Sequence, residues 1–121
     1  MKTTNLEISK KLKEIGFEAE FNFHYKATDP FNLYDSGYED YRERNTPSYD
    51  LETLIDALPK KINDNLQLRV WFEEYNFIGY QNWDGFVPKL TIKQKENESL
   101  ADTAGRLLIQ LFEAGIINFN K

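Results

Sequence analysis

The residues able to do chemistry fall into three groups: one histidine, two clusters of carboxylates, and a surplus of tyrosine, tryptophan and arginine. His24 is the lone histidine, and cysteine is absent. General-base catalysis needs a nucleophile and an orienting group converging on the base, and no motif in the chain supplies them. Alternation along residues 17–25 sets His24 beside Glu20 and Asn22 on the solvent side of a strand, so it reads as a surface histidine. One histidine cannot build a histidine metal cluster. The absence of cysteine removes thiolate zinc sites, disulfides and cysteine nucleophiles together. Asp29, Asp35, Glu39, Asp40 and Glu43 cluster in sequence, but their spacing lacks the glycine and the terminal glutamate of a calcium loop. Glu73, Glu74 and Asp84 offer the acids a glycosidase pairs, yet acids at strand ends are ordinarily solvated. No phosphate loop, dinucleotide fingerprint or nucleophile elbow occurs. The expectation is a non-enzymatic protein with no metal and no cofactor.

The aromatic surplus carries more information. Core demand accounts for Phe17, Phe21, Phe23, Phe72 and Phe112. It does not account for Tyr34, Tyr38, Tyr41, Trp71 and Trp83. Tyrosine, tryptophan and arginine dominate the energetics of protein interfaces. Tyr34, Tyr38, Tyr41, Arg42 and Arg44 crowd one irregular stretch, where the competing reading is that the tyrosines cap an open end of the core. Trp71 stands among Gln67, Arg69 and Glu73 on the polar side of a strand, so either the loop or a partner covers it. The candidate binding residues are therefore Tyr34, Tyr38, Tyr41, Arg42, Arg44, Arg69, Trp71 and Trp83.

Charge narrows the partner. A net charge of -5 and a pI near 4.9 oppose bulk nucleic-acid binding, which needs a field that attracts phosphate. No apolar run approaches the roughly 18 residues of a membrane span. Residues 1–4 have no apolar stretch behind them, so no signal peptide is expected. The sequence indicates a cytoplasmic protein without membrane association.

The elements that must position these residues follow from periodicity. A chain of this length buries roughly two thirds of its unfolded surface and reads as one domain. The strongest helix signal lies in 96–117. There Leu100, Ala104, Leu107, Leu108, Leu111 and Phe112 form a stripe on a 3.6-residue period. Asn97 or Ser99 caps its start, with Asp102 completing a box, and Gly115 stops it with Ile116 folding back on Leu111. Gly105 inside it marks a close approach to a neighbouring element. A first helix spans 4–15, opened by Thr4-x-x-Glu7 and stopped by Gly16, with Phe17 folding back on Leu12. A short one spans 51–58, capped by Asp50 and ended by Pro59.

Strands are expected at 17–25, from Leu66 through Glu73, at 75–81 with ambiguous facing, and at 86–94. Asp84-Gly85 turns the last hairpin. Leu90 and Ile92 point inward in the final strand, and Pro88 marks an edge or a bulge. Residues 27–48 lose all periodicity and form a long irregular loop, a type that tends to be functional. The fold class is α+β: a two-layer sandwich with three helices on one face of a four-stranded, mainly antiparallel sheet. A three-layer α-β-α sandwich is the alternative. The whole of 1–121 forms a single domain.

Three stretches, LEISKKLKEIGFEAE, YDLETLIDALP and ENESLADTAGRLLIQLFEAGII, together resemble short proteins encoded by bacteriophages, prophages and mobile elements of bacteria. That resemblance implies a cytoplasmic accessory protein of α and β structure and brings no catalytic residues. The functional expectation is protein binding or self-association through the aromatic, arginine-bearing loop and the open sheet face. A nucleotide-like small ligand is an alternative, with Trp and Tyr stacking on a base. Single-stranded nucleic acid on the open sheet is another, through Lys26, Arg69, Lys89 and Lys93, opposed by Glu18, Glu20 and Glu73.

Overall fold

The computed structural model describes residues 3–35, 45–63, 65–72 and 76–119. Among these, the order is α1 (Leu6–Glu14), β1 (Phe23–Lys26), β2 (Asp29–Asp35), β3 (Asn45–Ser48), α2 (Leu51–Ala57), β4 (Lys61–Ile62), β5 (Leu66–Phe72), β6 (Asn76–Asn82), β7 (Gly85–Lys93) and α3 (Leu100–Glu113). The fold is α+β, and its four-stranded antiparallel sheet runs β4-β5-β6-β7.

α3 is the centre. Leu107, Leu108 and Leu111 are fully buried, and Asp102, Thr103, Gly105 and Ile109 are buried too. The buried circumference is thus wider than the apolar stripe. The helix meets β6 and β7 of the sheet, and both other helices pack on it. Its start is capped by Ser99, whose Oγ accepts from Asp102 N. Its end is a Schellman turn: Ile116 N donates to Leu111 O and Gly115 N to Phe112 O, with Gly115 at φ +77°. α1 ends the same way, Phe17 N donating to Leu12 O and Gly16 N to Lys13 O. Gly105 is where α1 crosses: a Cβ there would stand 2.6 Å from Ile8 Cγ2.

The start of α1 departs from expectation. Asn5, not Thr4, is the cap, its Oδ1 accepting from Ile8 N at 2.8 Å. Thr4 is instead fully buried at a knot of hydroxyls. Its Oγ1 lies 2.7 Å from Ser9 Oγ and accepts from Tyr49 N, while its carbonyl accepts from Ser48 Oγ and from Tyr25 Oη. Asp102 joins from α3, its Oδ1 accepting from Asn5 N at 2.7 Å. Asp102 therefore serves a long-range contact and does not close a capping box on its own helix.

The first strand and the long loop are also corrected. Residues 17–22 alternate in burial as expected, but they form no strand among the described residues. A bend at Asn22 resets the parity, and β1 begins only at Phe23. His24 is consequently 1 % exposed, not a surface residue. β1 is the central strand of a second antiparallel sheet, β2-β1-β3, built largely from the stretch that lacks periodicity. This sheet packs on α1 through β3. The fourth strand of the main sheet is instead the two-residue β4.

In that main sheet Ile78 and Tyr80 are fully buried and face α3 with Leu90 and Ile92, which settles the facing of β6. Tyr80 Oη donates to Pro59 O at 2.7 Å, pinning the sheet to the end of α2. The last hairpin turns on Trp83-Asp84, one residue earlier than Asp84-Gly85. Asn82 pairs with Gly85, and the Asn82 side chain accepts from Asp84 N. Gly85, at φ +123°, opens β7. Pro88 lies in a bulge of an edge strand, where Thr91 Oγ1 donates to Val87 O.

Candidate functional site: the outer face of the four-stranded sheet

The sheet has one face against α3 and one turned away from it. The register identifies the outer residues. Gln67 pairs with Gln81, Arg69 with Gly79 and Trp71 with Phe77; Phe77 also pairs with Lys93. Side chains alternate along each strand, so these share a face opposite Leu66, Leu68, Val70, Ile78 and Tyr80. The inner set belongs to the core, whereas Trp71, Phe77 and Phe86 stand outside it.

Trp71 is 44 % exposed. Phe77 is half-buried and stacks on Phe86, with centroids 6.0 Å apart and planes inclined by 30°. Gly79 makes that contact possible. A Cβ at Gly79 would lie 2.6 Å from Thr91 Cα, so the backbones close up there and no side chain separates Phe77 from Phe86. An aromatic row thus crosses β5, β6 and β7. Arg69 adjoins it, donating to Gln67 Oε1 and to its neighbour's carbonyl at Leu68. Both acceptors are neutral, and the guanidinium is exposed. Beyond Arg69 the face continues as a shallow groove of about 480 Å³ lined by Asn65, Gln67, Arg69, Gln81, Asn82 and Trp83. Trp83, at the hairpin tip, is 94 % exposed.

The fold therefore brings Arg69, Trp71 and Trp83 onto one surface. Tyr34 is elsewhere, on β2 opposite His24. Its ring stacks on His24 at 6.2 Å, Lys26 Nζ lies 4.2 Å above it, and its hydroxyl donates to Asp29 Oδ2. That hydrogen bond, with burial adding to it, holds the phenol above its ordinary pKa. Tyr34 is engaged within its own sheet. Tyr38, Tyr41, Arg42 and Arg44 lie outside the described residues, as do Glu39, Asp40, Glu43, Glu73 and Glu74. Phe77 and Phe86 were missed in the sequence reading. The signal for Phe77 is that apolar residues occupy both parities of 75–81, which marks a strand with aromatics on each side.

The edges of this sheet are poorly suited to strand addition. Gln94 N donates to Asn76 O, so by alternation the Lys93 carbonyl points away from β6. Arg106 Nη2 donates to it, and Gln110 Nε2 donates to the Lys89 carbonyl. α3 thus occupies acceptors along the β7 edge. The opposite edge, β4, is two residues long. Edges treated in this way resist pairing with another chain.

A second concavity, about 530 Å³, lies between the starts of α2 and α3, lined by Asp50, Leu51, Glu52, Gln94, Glu98, Ser99, Leu100 and Ala101. Four of its polar side chains are already engaged. Asp50 caps α2, Ser99 caps α3 and Gln94 bonds Asn76. Glu98 holds Arg106 through Oε1 and Oε2 and accepts from Thr103. Burial raises the Glu98 carboxyl, but Arg106, Lys95 N and Thr103 together outweigh it and leave its pKa lowered. The Glu98 carboxylate, held in its charged form, repels phosphate, so this concavity does not suit a nucleotide. No family model matches the chain, and neither curated proteins nor solved structures yield a match.

Proposed function

We propose that this protein is a non-enzymatic binding module, a cytoplasmic accessory protein of bacteriophage or mobile-element type, that engages a protein partner through the outer face of its four-stranded sheet. The observation that carries this reading is the aromatic row Trp71, Phe77 and Phe86, with Arg69 beside it, on the side of the sheet opposite α3. Aromatic anchors flanked by arginine are what hot spots are made of. The charged alkyl rim around them suits a surface that must stay soluble when unoccupied. No helix of the described residues is long and apolar enough to cross a membrane.

The test is site-specific photo-crosslinking in extract of the source cells. A photo-reactive residue replaces Gln67 on the outer face or, as control, Lys10 on the exposed side of α1. Discrete protein adducts are expected from position 67 and not from position 10, and they disappear when Trp71→Ala is added. Identical adduct patterns from both positions, or none from position 67, defeat the reading.

A further inference from the structure

Among the described residues, the charged side chains of the outer face have the sign opposite to that of the molecule. Its described side chains include the cations Lys61, Arg69 and Lys93 and the neutral Asn65, Gln67, Gln81, Asn82 and Thr91, with no described carboxylate among them. The chain as a whole carries -5. Lys61 stands across Gln67 on β4, and Lys93 stands across Phe77 on β7, so the cations flank the aromatic row on both sides. From this we infer that the partner presents a short acidic segment with apolar side chains, lying over Trp71, Phe77 and Phe86 with its carboxylates on Arg69 and Lys61. This rests on the reading of the outer face as the binding surface.

Three alternatives fit less well. A second copy would set cations against cations, because this face offers no described carboxylate to meet them. A strand added at an edge is opposed by Arg106 and Gln110, which hold the β7 carbonyls. Single-stranded nucleic acid suits the aromatic stacking, but it carries a charge at every nucleotide and runs past the patch over the acidic remainder. Screening limits each charge to roughly 8 Å at physiological salt. A short acidic segment therefore feels the patch alone, whereas a long polyanion also feels what surrounds it.

The experiment uses fluorescence anisotropy with the full chain and three labelled probes of equal length: a peptide alternating glutamate and leucine, its lysine-leucine counterpart, and oligothymidylate. The glutamate-leucine peptide is expected to bind saturably and at least about tenfold tighter than the lysine counterpart. Its affinity should fall as salt is raised, and Arg69→Glu should weaken it by about tenfold or more. Arg69→Gln should give an intermediate loss, with the fold of both variants checked by circular dichroism. Equal binding of the two peptides, no binding of the acidic one, or tighter binding of oligothymidylate overturns the inference. Crosslinks from position 67 without acidic-peptide binding would defeat the partner chemistry and leave the surface standing. Loss of both would defeat the surface itself.

Discussion

Trp71 and Tyr80 sit on the same sheet and obey opposite rules. Tyr80 is fully buried, its hydroxyl held by Pro59 O, and burial pushes its pKa far above the usual phenol value. Tyr80→Phe should cost about 1 kcal/mol in urea unfolding, because the Pro59 carbonyl loses its donor. Trp71→Ala, at an exposed position, should move stability by no more than about 0.5 kcal/mol. Asp102 gives a pH signature. Burial raises its carboxyl above the ordinary 3.8, ahead of the lowering by Asn5 N. The folded state then keeps the proton where the unfolded chain has released it, so this group's contribution is largest below the unfolded pKa and is lost as pH rises through the folded pKa. Glu98, with its pKa lowered, behaves in the opposite sense: its contribution is present above 4.5 and fades as pH falls through the folded value. Asp102→Asn keeps an acceptor for Asn5 N and removes the titration. Urea unfolding measured from mildly acidic to neutral pH should therefore show the variant gaining on the parent as pH rises. None of this was legible at Asp102 in the sequence, where its spacing from Ser99 suggests a local box. Its true partner, Asn5, lies at the other end of the chain.

Among the elements, α3 was readable because its signals are local: a serine cap, a stripe at helical spacing, a glycine in the left-handed region. The two glycines of this helix region make contrasting predictions. Gly115, at φ +77° with open space around a Cβ, resists substitution through backbone conformation alone, so Gly115→Ala should cost roughly 1 kcal/mol. Gly105→Ala gains about 1 kcal/mol of helix propensity but drives a Cβ to within 2.6 Å of Ile8 Cγ2. Displacing α1 should cost more than that gain, for a net loss of about 1–2 kcal/mol. Adding Ile8→Ala, which removes the clashing methyl, should make the double variant less destabilised than the sum of the singles. The β2-β1-β3 sheet was illegible for a different reason. β1 and β3 have four residues each, β1 lies between two neighbours, and burial there follows tertiary pairing, not alternation. His24 shows this most plainly: polar neighbours in sequence, full burial under Tyr34 in space.

At the scale of the whole molecule, the core and the aromatics outside it occupy opposite sides of one sheet. The inner side joins Ile78, Tyr80, Leu90 and Ile92 to the three helices in a single core. The outer side carries aromatics that this core does not use. Trp71 was legible as a candidate because it breaks its strand's pattern, an aromatic on the polar side, and Arg69 because it stands beside Trp71 on that side. The row they belong to was not, because Phe77 and Phe86 meet only through β6–β7 pairing and the bare backbone at Gly79. The closed β7 edge also belongs to this scale. Replacing Arg106 and Gln110 together by alanine should free the Lys93 and Lys89 carbonyls and promote self-association, detected by light scattering. The most direct test of the central claim is the yield of protein adduct from a photo-reactive group at position 67, compared between the parent chain and Trp71→Ala at equal amounts of folded protein. Loss of the adduct with an unchanged unfolding midpoint is the predicted result. An undiminished adduct in Trp71→Ala would contradict it.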